Sequence, residues 1–395
     1  MKVFLKGLNG CPMRYQKLKQ YKEFLIANGH QIENNAENSD MCLLWTCSFR
    51  GDALNNSISE IERYQKDYNC ELIVAGCLPD IAPDELKKHF SGRVINWRDD
   101  EKKIEEYFGG SEKSSEEFSP IFVEEKFCDD AEEYRKEHPD KDVTFHDQFI
   151  KLVISEGCNY KCAYCSEKLA FPPYRSFPED KLVKSCKRMI EDTGQFDVIL
   201  LADSLDAYGR DIGSSLPALI KKLKTIHPKI RFALNNLNPA GFIKYYDELT
   251  EFIKNGDIKH LNLPIQSASS RILKLMKRDY TRSDINKIFG LLNNICFTEF
   301  DTHIIVGFPG ETEEDLENTI QFIIRYKPKY VLASRYLEVP AMPSANLPDK
   351  VNEEKQINRL HRVATEVKKA GIICNFEEGD IMNSRFKRII SDKRI

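Results

Sequence analysis

The stretch Ser155-Glu156-Gly157-Cys158-Asn159-Tyr160-Lys161-Cys162-Ala163-Tyr164-Cys165 decides how the rest of the chain is read. Its three cysteines are spaced C-x₃-C-x₂-C and come directly after the apolar run Lys151-Leu152-Val153-Ile154. Such a pattern describes a loop just past a strand end that wraps thiolates around an inorganic centre. Soft thiolates select zinc or iron–sulfur clusters. A structural zinc site wants four closed ligands, and no fourth Cys or His follows nearby. Three thiolates on a four-iron cluster leave one iron open, and an open iron can bind a substrate. The plainer alternatives are a zinc knuckle that borrows a distant ligand and three buried thiols.

Composition narrows the setting. A chain of 395 residues has room for two or three domains. Hydrophobic content of 41% and charged content of 30% describe a soluble globular protein. No apolar run approaches the roughly 20 residues that a membrane span needs. Met1-Lys2-Val3-Phe4-Leu5-Lys6-Gly7 reads as a first strand and not as a signal peptide, so a cytoplasmic protein is expected, without a membrane partner and as a monomer. A net charge of −4 gives no global basic bias and weakens the case for a nucleic-acid substrate. Twelve cysteines in such a chain point to metal or catalysis before disulfides.

Upstream, three apolar runs each end in a cysteine: Val3–Leu8 before Cys11, Cys42–Trp45 before Cys47, and Leu72–Ala75 before Cys77. Helical patterns at 12–29, 52–68 and 83–90 lie between and after them. Alternating strand and helix predicts a doubly wound parallel sheet, whose ligand sites form beyond the carboxyl ends of the strands. Cys11, Cys47 and Cys77 all fall there, a second candidate for an open thiolate site. The other cysteines, Cys42, Cys70, Cys128, Cys186, Cys296 and Cys374, read as small buried hydrophobes. Residues 109–147 follow as an acidic linker or insert, rich in Glu, Asp, Lys and Ser.

Downstream of the cysteine loop, strand-like runs recur at 197–201, 230–234, 260–264, 302–306 and 330–333, alternating with helical stretches. With 151–154 they make six strand–helix units. Six are too few for a closed eight-stranded barrel and suit an open, partial (β/α)6 barrel. The expected layout is therefore α/β throughout: an N-terminal doubly wound domain over 1–108, the insert at 109–147, a partial barrel at 148–345, and a C-terminal helix with a basic tail at 346–395.

The cysteine loop resembles the radical S-adenosylmethionine (SAM) superfamily, in which the open iron chelates the amino and carboxylate groups of SAM. Several motifs sharpen the resemblance to the methylthiotransferases. They are Gly10-Cys11, Thr46-Cys47-Ser48-Phe49-Arg50, Gly76-Cys77-Leu78-Pro79, Arg175-Ser176, Ala202-Asp203-Ser204 and the run Asp206 to Asp211. Further on come Leu263 to Ser269, Leu275-Met276-Lys277-Arg278-Asp279-Tyr280-Thr281, Gly307-Phe308-Pro309-Gly310-Glu311-Thr312-Glu313-Glu314-Asp315, and Ser334-Arg335-Tyr336. One departure is Trp45, where the family commonly carries Asn before Thr-Cys.

The resemblance implies two [4Fe-4S] clusters, one on Cys158, Cys162 and Cys165 and an auxiliary one on Cys11, Cys47 and Cys77. It implies SAM as cofactor, an external electron donor and a sulfur source. The expected reaction converts an unactivated C–H bond to C–SCH₃. SAM contacts are expected from Tyr164, Ala202, Asp203, Ser204, Gln266, Ser267, Val306, Gly307 and Arg335. Reactive or substrate-facing roles are expected for Arg175, Asp203, Tyr208 and Arg335, the arginines as bidentate carboxylate holders. Methylthiotransferases typically add a C-terminal RNA- or protein-binding barrel, a TRAM domain, for which the residues after 371 leave too little room. That shortage, the charge balance and the acidic insert favour a peptide or protein side chain as substrate, such as a ribosomally made peptide. An adenosine base in tRNA is the alternative, and a non-catalytic iron–sulfur protein the reading from another class.

Overall fold

A computed structural model describes residues 1–8, 12–109 and 150–376, with the side chains of 12–15 left aside. Cys11, Cys128, most of the insert and the basic tail lie outside the described residues. Two compact units divide the chain: one takes the N-terminal residues together with Ser166–Tyr174, the other His146–Cys165 and the residues from Arg175 onward.

The N-terminal unit is built on β1 (Lys2–Gly7), β2 (Gln31–Glu33), β3 (Met41–Thr46), β4 (Glu71–Gly76) and β5 (Arg93–Asn96), all parallel, in the order β2-β1-β3-β4-β5. The three cysteine-ended runs are the three central strands. β2 and β5 are additional, and both are short edge strands. β3 is buried along its whole length, as a strand covered by helices on both faces must be. The helix Gly51–Asp67 shows how the covering works: Ala53, Ser57, Ile61 and Tyr64 recur at helical spacing and all point inward. In this strand order the ligand-binding switch point lies between β1 and β3.

One cysteine expectation changes here. Cys42, in β3, and Cys70, just before β4, are joined as a disulfide with Cα atoms 6.1 Å apart. The parallel register sets Cys42 against Leu72, so Cys70, two residues earlier on the neighbouring strand, lies diagonally across from it. Cys296 also departs from the buried-thiol expectation, for it is exposed at the end of a helix, whereas Cys186 and Cys374 are buried.

The second unit holds β6 (Ile150–Val153), β7 (Ser155–Glu156), β8 (Arg175–Ser176), β9 (Asp197–Leu201), β10 (Arg231–Leu234), β11 (Ile258–Asn262), β12 (Phe300–Val306), β13 (Tyr330–Arg335) and β14 (Ile373–Phe376). Seven of these form one parallel sheet in chain order, β6-β9-β10-β11-β12-β13-β14. Consecutive parallel neighbours joined by helices are the arrangement of a barrel segment. The expectation of six strands is therefore one short. Gly371 ends the helix Glu353–Lys369 at φ 77°, and the next residues pair with β13. That helix buries Leu360, Val363, Ala364 and Val367, as its periodicity predicts, and also Arg359, which is held by Glu311 and Glu313. β7 and β8 pair antiparallel, Glu156 opposite Arg175.

Capping fixes where the helices begin. Thr281 with Asp284 and Thr312 with Asp315 each form a complete capping box. No helix among the described residues is long and apolar enough to cross a membrane.

Candidate functional site

The cysteine loop leaves β7 and is tied down by side chains from distant segments. Gly157, at φ 74°, donates its N–H to Asp203 Oδ2 at 2.9 Å. Tyr160 donates its hydroxyl to Asp206 Oδ2 at 2.5 Å, and Arg210 donates to the same oxygen at 3.0 Å. Asp206 is fully buried, and burial raises its carboxyl above the usual range. The approach is close: a Cβ on Gly241 would stand 2.1 Å from the Asp206 Cβ. Ala163 is anchored through its backbone to Met276 and Ser344. The loop after β9 thus locks the first half of the cysteine loop, and the segments around 276 and 344 lock the second.

The thiols share one electrostatic environment. Burial pushes the Cys158 thiol up to about 11, and the nearby Cys162 and Asp203 push the same way. The Tyr160 N–H and the buried Ser204 hydroxyl oppose them. Holding several thiolates here costs free energy unless positive charge arrives with the ligand, which is what a metal centre brings. Among the described residues no three His, Cys, Asp or Glu side chains are placed to hold a single metal ion. A four-iron cube takes its thiolates at separate corners and so sets them further apart than one tetrahedral ion does.

Arg278 is the residue that the sequence reading passed over. Its Nη1 donates to Cys162 Sγ at 3.3 Å and to the Tyr164 hydroxyl at 3.4 Å. It was visible in the motif around Met276, but nothing local signals a contact with a cysteine 116 residues earlier.

The remaining predicted residues separate into two groups. Asp203, Ser204 and Tyr164 are gathered at the cysteine loop, with Ala202 buried just before them at the end of β9. Tyr164 packs edge-on to Phe308, which brings the residues after Val306 and Gly307 towards that loop. Val306 itself is buried and its carbonyl accepts from the Tyr336 N–H. Gln266 adopts φ 63° and links to β12 through its backbone, donating to His303 O and accepting from Ile305 N, which leaves its side chain outside that pairing.

The other group is turned to local structure. The Tyr208 ring is fully buried and its hydroxyl donates to the Phe177 carbonyl at 3.0 Å. Ser267 lies in a network with Thr319 and the Ser269 N–H. Arg175 grips the buried Glu156 at 2.9 Å, closing the β7–β8 ladder. Arg335 meets Glu353 at 2.9 Å. Gly307 does allow a close approach, but of Gln356, whose Cγ would lie 2.4 Å from an added Cβ.

In the N-terminal unit, Cys47 and Cys77 follow β3 and β4 at one level, since Thr46 pairs with Gly76. Both are buried. Gly76 has φ 96°, and an added Cβ would stand 2.4 Å from Thr46 O, so only glycine permits this approach. Thr46 O accepts the Cys77 N–H at 3.1 Å, while Ser57 Oγ both accepts from the Cys47 N–H and donates to its carbonyl. Trp45 Nε1 and Ser48 Oγ, on either side of Cys47, are buried without hydrogen-bond partners among the described residues. Donors left over beside two strand-end thiols suit a site that takes a sulfide-rich group. Trp45 fills its space by packing between Tyr21 and Trp97.

Comparison with known proteins assigns both units. Residues 152–323 match the radical SAM superfamily, and residues 2–95 match a family described as uncharacterized protein family UPF0004. In the fold comparison, a radical SAM methyltransferase, TsrM, from Kitasatospora setae aligns with TM-score 0.61 over 92% of this chain and 78% of its own, at 12% identity. A protein of Methanocaldococcus jannaschii named as a probable threonylcarbamoyladenosine tRNA methylthiotransferase is 31% identical over 88% of this chain and 78% of its own. The ribosomal protein uS12 methylthiotransferase RimO of Thermotoga maritima is 27% identical over 100% of this chain and 87% of its own. The chain belongs to the radical SAM methylthiotransferase family. That family consists of enzymes that use SAM and two [4Fe-4S] clusters.

Proposed function

We propose that Cys158, Cys162 and Cys165 hold the SAM-binding cluster, that Cys11, Cys47 and Cys77 hold the auxiliary one, and that the substrate is a peptide or protein side chain. The observation that carries the cluster assignment is that Cys47 and Cys77 follow β3 and β4 at one level of the N-terminal parallel sheet, while the three-cysteine loop runs on from β6 and β7 and is held by the segment after β9. When bound, SAM and the clusters supply C–H activation and sulfur transfer, chemistry that no side chain can perform. The chain's own work is to position them. Asp203 and Asp206 hold the cysteine loop, Tyr164 and Phe308 wall it with apolar surface, and Gly76 lets β3 and β4 close up beside Cys47 and Cys77.

For the substrate, the net charge of −4 and the acidic run at 109–147 disfavour a polyphosphate backbone passing near the site. The RimO relative, named for a ribosomal-protein substrate, fits that reading. The second reading is an adenosine base in tRNA, favoured by the 31% identity with the M. jannaschii protein.

The test is anaerobic. Reduced, reconstituted enzyme and SAM are offered candidate peptides and bulk tRNA separately, and products are read by mass spectrometry. A –SCH₃ gain on a peptide is expected. The same gain on tRNA adenosine replaces the first substrate reading with the second. In parallel, changing Cys158, Cys162 and Cys165 to Ala should leave about four of about eight iron atoms and abolish SAM cleavage. Continued cleavage in that variant would defeat the cluster assignment.

A further inference from the structure

Among the described residues no carboxylate lies within hydrogen-bond or ion-pair distance of Arg278, although its charge reaches the buried Asp206 carboxyl. Among the described residues its contacts are Cys162 Sγ at 3.3 Å, the Tyr164 hydroxyl at 3.4 Å, the Pro264 carbonyl at 3.3 Å and the Tyr280 hydroxyl at 3.0 Å. The guanidinium also lies over the Tyr280 ring, 4.9 Å from its centre. Tyr280 is fixed in turn, for its hydroxyl donates to Ile265 O at 2.8 Å. The arginine is thus clamped in orientation by an aromatic ring and a carbonyl, and among the described residues its hydrogen bonds go to the Cys162 sulfur and to uncharged oxygens.

Arg278 is half-buried, and taking part of a guanidinium out of water is costly unless a partner compensates it. Arginines in such surroundings pair with carboxylates or phosphates; this one faces a thiol. The arrangement makes sense when Cys162 is a thiolate ligand. Hydrogen bonds to cluster sulfurs are among the main protein controls on iron–sulfur potentials. A positive charge on a sulfur ligand favours the form of the cluster with one more electron, and so raises the potential.

We propose that Arg278 is a positioning residue that sets the reduction potential of the SAM-binding cluster through a charge-assisted hydrogen bond to Cys162. This rests on the assignment of Cys158, Cys162 and Cys165 to that cluster. Arg278 acts through the ligand, and the Tyr280 and Pro264 contacts keep it from turning away.

The test is a potentiometric titration of the full, reconstituted chain, followed by electron paramagnetic resonance. The signal that changes on adding SAM identifies the open-site cluster and separates it from the auxiliary one. Arg278→Met keeps side-chain bulk without charge. Its iron content should match the parent chain, and at a fixed potential its ratio of reduced to oxidised cluster should fall about tenfold, which is 59 mV for one electron. Arg278→Lys, which keeps the charge and loses the fork, should fall between. A midpoint in the Met variant equal to that of the parent overturns the proposal. Should the Met variant fail to hold its iron, Arg278→Gln, which keeps an N–H donor without charge, decides by the same criterion. The underlying cluster assignment fails separately: the parent chain would then show no SAM-responsive signal, or would keep it after Cys158, Cys162 and Cys165 are changed to Ala.

Discussion

Replacing Gly76 by alanine should open the N-terminal site while leaving the cysteine loop intact. At φ 96° an alanine is strained by about 1–2 kcal/mol through its Cβ alone. The Cβ would also stand 2.4 Å from Thr46 O and 2.9 Å from Thr46 N, both backbone atoms at the end of β3. Neither can rotate aside, so β4 must move from β3, and overpacking of this kind costs about 1–3 kcal/mol more. The total is about 2–5 kcal/mol. Gly29 is the matched control. It has φ 80° but nothing within 4 Å of an added Cβ, so Gly29→Ala carries the backbone strain without the clash. The two variants should therefore differ by several degrees in the melting of the N-terminal unit. Because Cys77 follows Gly76 directly, only Gly76→Ala should also lose auxiliary iron, going from about eight atoms to about four while SAM cleavage persists. Equal destabilisation of the two variants, with full iron in both, would refute the reasoning that close strand approach builds this site.

Three other outcomes are open to direct measurement. Burial raises the Glu311 carboxyl to about 7, against the opposing pull of the Gly307 N–H and Arg359. Its folded pKa lies above the unfolded value, so stability should fall as pH rises from about 4.5 through 7, by about 3 kcal/mol in all. Glu311→Gln should flatten denaturant midpoints over that range, and a curve parallel to the parent's would contradict the assignment. The disulfide closes a separation of 28 residues. Cys70→Ser should therefore cost about 3–4 kcal/mol in oxidised protein and almost nothing in dithiothreitol; an equal cost in both would show that packing and not the covalent link matters. Tyr208→Phe should lose about 1 kcal/mol of stability and leave the rate of SAM cleavage unchanged. A large loss of cleavage without unfolding would place Tyr208 at the reactive centre.

The parts of the fold that were legible in sequence are those fixed by long apolar runs. β3 and β9, buried along their whole length, could be read as strands without knowing their neighbours. The strands that escaped are the two-residue pair β7 and β8 and the edge strands β2, β5 and β14, three or four residues long, too short for periodicity to carry much information. β14 illustrates the physical reason. Ile373–Phe376 has no strand-like length of its own and becomes a strand because β13 offers an unpaired edge where the last helix ends. The Cys42–Cys70 pairing was hidden for a related reason: it depends on the register between β3 and β4, which no local pattern encodes. Site residues divide the same way. Cysteines at strand ends declare themselves by position, whereas Arg278 and Asp206 act across 116 and 46 residues.

The two cysteine sets are positioned by different means, and this explains which residues each can least tolerate losing. Cys47 and Cys77 sit on strand ends, so their spacing is set by parallel register and by the absence of a side chain at Gly76. The backbone does the positioning, and side-chain changes nearby should matter mainly when they alter strand approach. Cys158, Cys162 and Cys165 lie on a loop with only the two-residue β7 before it, where backbone pairing cannot set three sulfur positions. There the work passes to side chains from elsewhere: Asp203 on the Gly157 N–H, Asp206 on Tyr160, Arg278 on Cys162. Each of these contacts carries charge or lies buried, so each is stronger than an ordinary surface hydrogen bond and leaves an unpaired group behind when cut. Losing one should therefore disorder the loop or shift its electrostatics without unfolding the sheet beneath it. This is the behaviour expected of a centre held by a scaffold that is rigid for independent reasons.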